Sequence, residues 1–102
     1  MKTFAEICPQ LSAGEFEFSR HAFKRAVERS ISNNDIAQLS ENAELIENYP
    51  DDKFSPSCLI LGFTLENRPL HIQVSFADTP MVRIITLYEP DPKEWIEFRK
   101  RR

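Results

Sequence analysis

Glycine, cysteine and histidine are all scarce in this chain, and each shortage excludes something. Two glycines, Gly14 and Gly62, in 102 residues leave no glycine-rich phosphate loop and no dinucleotide-binding turn. The two cysteines, Cys8 and Cys58, are not paired at metal-ligand spacing, so they are expected as free thiols in or near the core. Only two histidines are present, His21 and His71, and no Cys/His cluster forms around them, so no structural zinc and no cofactor is expected. No apolar run approaches the roughly 18 residues that span a bilayer. The opening MKTFAEICPQ has one lysine and lacks the apolar centre of a signal peptide. A cytoplasmic protein without membrane contact is the expectation. With no internal repeat, low-complexity tract or linker, residues 1–102 read as a single domain.

An excess of positive charge is also missing. The net charge of −3 argues against a nucleic-acid coat protein, but the charge is segregated. Residues 20–29 carry Arg20, Lys24, Arg25 and Arg29 against Glu28 alone, and the closing EFRKRR carries Arg99, Lys100, Arg101 and Arg102 against Glu97. Between them, residues 35–52 hold Asp35, Glu41, Glu44, Glu47, Asp51 and Asp52 with no lysine or arginine. Local basic patches on an acidic protein follow from such a distribution.

What is abundant is phenylalanine, with 8 copies, which predicts a Phe-rich core. Residues 3–12 read as a short helix interrupted at Cys8-Pro9 and ended by Gly14. EFEF, residues 15–18, reads as a short strand or extended entry. Ser19 caps a helix in which Ala22, Phe23, Ala26 and Val27 recur at helical spacing as the buried stripe, with His21, Arg25, Glu28 and Arg29 on the adjacent stripe. Ser32 to Asp35 forms a capping box for a helix that buries Ile36 and Leu39. From residue 44 the period changes to that of strands: ELIENY, then CLILGF as a central strand, LHIQVSF with clean alternation, and MVRIITLYE. Tyr49-Pro50-Asp51-Asp52 reads as a solvated turn and Asn67-Arg68 as a hairpin corner. Asp91, Pro92 and Glu94 then signal a short terminal helix anchored by Trp95, Ile96 and Phe98, with the RKRR cations at its negative end. The expected fold is α+β, with N-terminal helices packed on one face of an approximately four-stranded antiparallel sheet and a short C-terminal helix.

Two histidines on polar surfaces invite one chemistry in particular. His21 lies on the polar helix stripe and His71 on the polar side of its strand. Placed across one cleft, two imidazoles form the acid/base pair that cleaves RNA through its own 2′-hydroxyl, without a metal or a protein nucleophile. Arg25 or Arg29 would hold the phosphate bidentately, and Thr86 and Tyr88 would bind it through their hydroxyls. The second reading is a non-catalytic binding module that holds a partner chain on its exposed sheet face or edge, around Ile85 and Leu87.

The combination FSRHAFKRAVERSIS, YPDDKFSPSCLILG, RPLHIQVSF and IITLYEPDPKEW, over about residues 15–96, resembles a family of small bacterial and archaeal proteins, domain of unknown function 4258. The resemblance implies a relation to the RelE-like and barnase-like ribonuclease fold, whose members are often toxins of toxin–antitoxin pairs. It therefore implies an endoribonuclease with an RNA substrate and a cognate antitoxin-like partner. His21 and Arg25 match the family's helix motif, His71 its central strand, and Thr86 and Tyr88 its last strand. The acidic charge balance departs from the basic character of such toxins. The oligomeric state is not readable from the sequence.

Overall fold

The computed structural model describes residues 1–102. Helix α1 (Phe4–Ser12) starts at a capping box between Thr3 and Glu6. It runs through Pro9 rather than breaking there. Pro9 and Ala5 are both exposed, so the carbonyl that Pro9 leaves without an amide faces water. Gly14, at φ 77°, ends it. Strand β1 (Phe16–Phe18) leads into α2 (Arg20–Glu28), capped by Ser19, and α3 (Asn33–Ser40) follows with the Ser32/Asp35 capping box. Ser30, at φ 52°, breaks the chain between α2 and α3. Arg68 donates to the carbonyls of Ser30 (2.9 Å) and Arg29 (2.8 Å), satisfying the end of α2.

Strands β2 (Glu44–Tyr49), β3 (Ser57–Phe63), β4 (Pro69–Ser75) and β5 (Val82–Tyr88) form the antiparallel meander. The sheet has a fifth strand, because β1 pairs in parallel with β5 and the order is β1-β5-β4-β3-β2. The expected four-stranded antiparallel sheet is therefore a five-stranded mixed one. Three apolar-alternating residues of EFEF are enough to fill the edge that β5 leaves open.

The helices cover one face. Ile7 and Leu11 of α1 and Ile36 and Leu39 of α3 join Ile60, Ile72, Val74, Ile84 and Leu87 in one buried core. Gly62 lets α3 lie directly on β3, since a Cβ there would stand 2.3 Å from the Leu39 carbonyl oxygen. On α2 only Ala22 and Ala26 are buried; Phe23 (60% exposed) and Val27 (66%) point outward. The expected four-residue stripe is thus halved, because two alanines let the helix approach the sheet closely and turn its larger apolar residues to solvent.

The terminal helix does not form. Asp91 makes one turn, accepting from Lys93, Glu94 and Trp95, and the chain then becomes a hairpin of β6 (Trp95–Ile96) and β7 (Lys100–Arg101). Glu97 and Phe98 adopt φ of 51° and 62°, the left-handed pair of a tight two-residue turn. A few residues cannot repay helix nucleation, whereas the hairpin buries Trp95. No helix is long and apolar enough to cross a membrane.

Candidate functional site

The sheet face away from the helices carries the polar chemistry, and two β-bulges put it there. On β5, Gln73 pairs with Thr86 while Val74 pairs with Ile84, so Ile85 is an extra residue. Without it, strict alternation would place Thr86 and Tyr88 on the same side as Val82 and Ile84, in the core. With it, Val82, Ile84 and Leu87 are all buried, and Arg83, Ile85, Thr86 and Tyr88 all line cavities on the open face. On β2 the register shifts between Leu45 and Glu47, which brings Glu44, Glu47 and Tyr49 opposite Leu61, Leu59 and Ser57. Two cross-strand rows result: Glu44, Leu61, His71 and Tyr88 in one, Glu47, Leu59, Gln73 and Thr86 in the next.

The C-terminal hairpin is strapped across the first row. Trp95 lies edge-on to His71 at 4.5 Å between ring centres, Phe98 packs against Phe63, and Arg101 stacks on Trp95 at 4.6 Å. The expected dipole role of the terminal cations is replaced by ion pairing with the acidic β2 strand: Arg99 with Glu44 at 2.6 Å and Arg101 with Glu47 at 2.9 Å. Burial pushes the Glu47 carboxyl up, but hydrogen bonds from Arg101 and the Tyr49 hydroxyl outweigh it and hold the group below its ordinary range. Tyr49, half-buried and bonded to Glu47, is pushed up to about 12.

His71 is consequently fully buried, not on an open surface. Its Nε2 is 2.7 Å from the Phe98 carbonyl oxygen and its Nδ1 is 3.2 Å from the Tyr88 hydroxyl. A carbonyl only accepts, so Nε2 carries the proton and Nδ1 accepts from Tyr88. Burial lowers the His71 pKa and raises that of Tyr88, which keeps both neutral.

His21 lies elsewhere. It is exposed and lines a cavity of about 600 Å³ with Ser19, Phe54, Ser55, Ser75, Arg83 and Ile85, among others. The expected His21/His71 cleft is not present in this geometry: one imidazole faces the cavity and the other is sealed under the strap. Arg25 and Arg29 are not presented there either. Arg25 pairs with Glu28 at 2.9 Å, holding that carboxyl below its ordinary range. Arg29 donates to the Leu87 carbonyl at 2.7 Å, covering the stretch of β5 edge that the short β1 leaves free. The guanidinium that does share the cavity with His21 is Arg83, in a 3.3 Å exposed pair with Glu17.

Thr86 and Tyr88 are brought together. They line a second cavity, of about 500 Å³, with Tyr49, Asp52, Leu59, Gln73 and Arg101. The two cavities lie end to end, since Gln73 and Thr86 line one and Ser75 and Ile85, their neighbours along the same strands, line the other. Asp52 is no freely solvated turn residue: it is half-buried and its Oδ2 accepts from Ser57 (2.7 Å) and Gln73 (2.9 Å).

A family model described as "Domain of unknown function (DUF4258)" matches residues 18–89. No curated protein and no solved structure matches the chain. The matched span stops before the strap, so residues 91–102 add their cover from outside it.

Proposed function

The chain belongs to the DUF4258 family through residues 18–89, and on that footing we propose that it is a metal-independent endoribonuclease whose substrate lies along the open sheet face. The observation that carries the reading is the pairing, in one 600 Å³ cavity, of the exposed imidazole of His21 with the guanidinium of Arg83 and the hydroxyls of Ser19, Ser55 and Ser75. An imidazole that reaches solvent takes the proton of a ribose 2′-hydroxyl, and the 2′-oxygen then attacks the adjacent phosphorus. Arg83 binds the phosphate oxygens and stabilises the charge that builds on them. The 5′-oxygen leaves with a proton from water, and a 2′,3′-cyclic phosphate remains. Phe54, 86% exposed at the rim, offers a ring on which an unpaired base can stack. His71 has a structural role here, as the buried anchor of the strap. The order of helices followed by the β2–β5 meander agrees with a relation to RelE-like toxins, which would bring an antitoxin-like partner.

The test is incubation of the purified protein with end-labelled single-stranded RNA in excess chelator. Products ending in 2′,3′-cyclic phosphate are expected, with a loss of about 10²-fold or more in His21→Ala and a large loss in Arg83→Ala. Intact RNA, or cleavage unchanged in His21→Ala, refutes the reading.

A second reading, a protein-binding module, is favoured by the outward Phe23 and Val27 on α2, a place the sheet-face expectation did not point to. A partner captured by the wild type and lost in Phe23→Ser/Val27→Ser, with RNA left intact, would select it.

A further inference from the structure

The 500 Å³ cavity under Arg101 has a one-sided hydrogen-bonding pattern. Asp52 spends Oδ2 on Ser57 and Gln73, while Oδ1 meets only the Phe54 amide at a long 3.4 Å. Gln73 turns its amide nitrogen to Asp52 and Ser57; the reverse orientation would face an oxygen to a carboxylate, so its Oε1 is the atom left over. The Thr86 hydroxyl has no partner within the chain either. No buried side-chain polar atom is unpartnered, so the free Gln73 Oε1 and Thr86 hydroxyl reach solvent, and both residues line the cavity with Asp52. Arg101, in the same lining, commits Nε and Nη2 to Glu47 and makes no hydrogen bond through Nη1. The walls include the rings of Tyr49 and Tyr88, with the Leu59 side chain among them. The cavity thus offers one cationic donor, a group of acceptors, and aromatic and apolar surface.

We propose that this cavity is the base-recognition pocket of the site, and that the base it takes is guanine; the inference rests on the ribonuclease reading above for its place in the reaction. Guanine's Watson–Crick edge presents an acceptor, O6, followed by two donors, N1–H and the 2-amino group. O6 meets Arg101 Nη1, and the two donors meet Asp52 Oδ1 and the free oxygens of Gln73 and Thr86. Adenine presents a donor and then an acceptor, and cytosine a donor and then two acceptors, so each sets a donor toward Arg101 and an acceptor toward Asp52. Uracil offers only one donor. The aromatic walls take the faces of the base. A simple cation fits less well, because Arg101 stands in the same lining. With the base seated here, the next phosphate along the sheet enters the cavity of His21 and Arg83.

The experiment is titration of the full chain with guanosine 3′-monophosphate and its adenosine, cytidine and uridine counterparts, following the fluorescence of Trp95, the single tryptophan, through its contact with Arg101. Binding of the guanosine nucleotide about tenfold or more tighter than the others is expected, and a similar loss in Asp52→Asn. Asp52 also supports the β2–β3 connection, so Arg101→Met, at an exposed position, provides a second variant; it should bring guanosine and adenosine affinities together. Wild-type cleavage of an RNA with a single guanosine should fall after that base. Equal binding of the four nucleotides overturns the guanine assignment even if RNA is cut at all bases, in which case the ribonuclease reading stands. Selective guanosine binding with no cleavage keeps the pocket and removes the nuclease.

Discussion

Replacing His71 with alanine tests whether the strap is held as described. The imidazole gives up two hydrogen bonds, each worth about 1 kcal/mol net. Tyr88 reaches the neighbouring cavity and can turn to water, but the Phe98 carbonyl has its partner removed under the strap. The fully buried ring also fills the space beneath Trp95, and emptying it costs on the order of 2 kcal/mol. Together they give about 3–4 kcal/mol, a large share of the ~5–15 kcal/mol that holds a domain of this size. Thermal unfolding by circular dichroism should fall by roughly 12–25 °C. A blue-shifted tryptophan emission in the wild type should move red in His71→Ala as Trp95 loses its seat. A loss below ~1 kcal/mol with unchanged emission would mean that His71 does not anchor the strap, and the structural role assigned to it would have to be abandoned.

The same residue governs the mild-acid behaviour. Burial lowers the His71 pKa in the folded state, so the unfolded chain takes up its proton first as pH falls. Stability is therefore fully present above the unfolded value of about 6.5 and is lost below it, with a slope approaching ~1.4 kcal/mol per pH unit. Urea unfolding across pH 5–7.5 should show this slope in the wild type and not in His71→Gln; equal slopes refute it. Gly62→Ala places a methyl group on the Leu39 backbone and should cost about 1–3 kcal/mol by forcing α3 off the sheet, read as a lowered urea midpoint. Arg101→Ala removes an exposed ion pair and a stacking contact, so it should cost only about 1 kcal/mol while changing Trp95 fluorescence clearly; a collapse in stability would show the hairpin to be held by more than its buried ring.

Helix starts written in side chains were legible where a long enough amphipathic stretch follows, and misleading at Asp91-Pro92-Glu94, where only one turn forms before the hairpin. Ser19 and Ser32/Asp35 mark two helix starts, and the switch to alternation at residue 44 marks the meander. What escaped depends on partners far away in the chain. Nothing in FEF says that it pairs with residues 82–84, and nothing in Glu97-Phe98, which lacks the usual glycine or asparagine, announces a tight turn. The site suffered most from the bulges. Alternation tells which side a residue takes only until one residue is inserted, so Arg83 could not be grouped with Thr86 and Tyr88, nor Glu44 with Glu47. His71 was placed on the correct side of its strand, but a strand pattern cannot reveal that a distant Trp95 lies over it. Asp52 sits in a turn by every local signal and acquires its task only through Ser57 and Gln73.

The parallel pairing of β1 with β5 also sets a timetable. Ser19 reaches Ile85 across 66 positions of chain, and it is this closure that carries His21 to the groove lined by Arg83. Such long-range contacts come late in folding, and a chain made from its N-terminus emerges with α2 long before its partner strand exists. The meander can assemble without β1, but the groove cannot. A nascent or truncated chain lacking residues 82–88 would have neither Arg83 nor the strand edge on which β1 seats, so the groove forms only once that strand has been made.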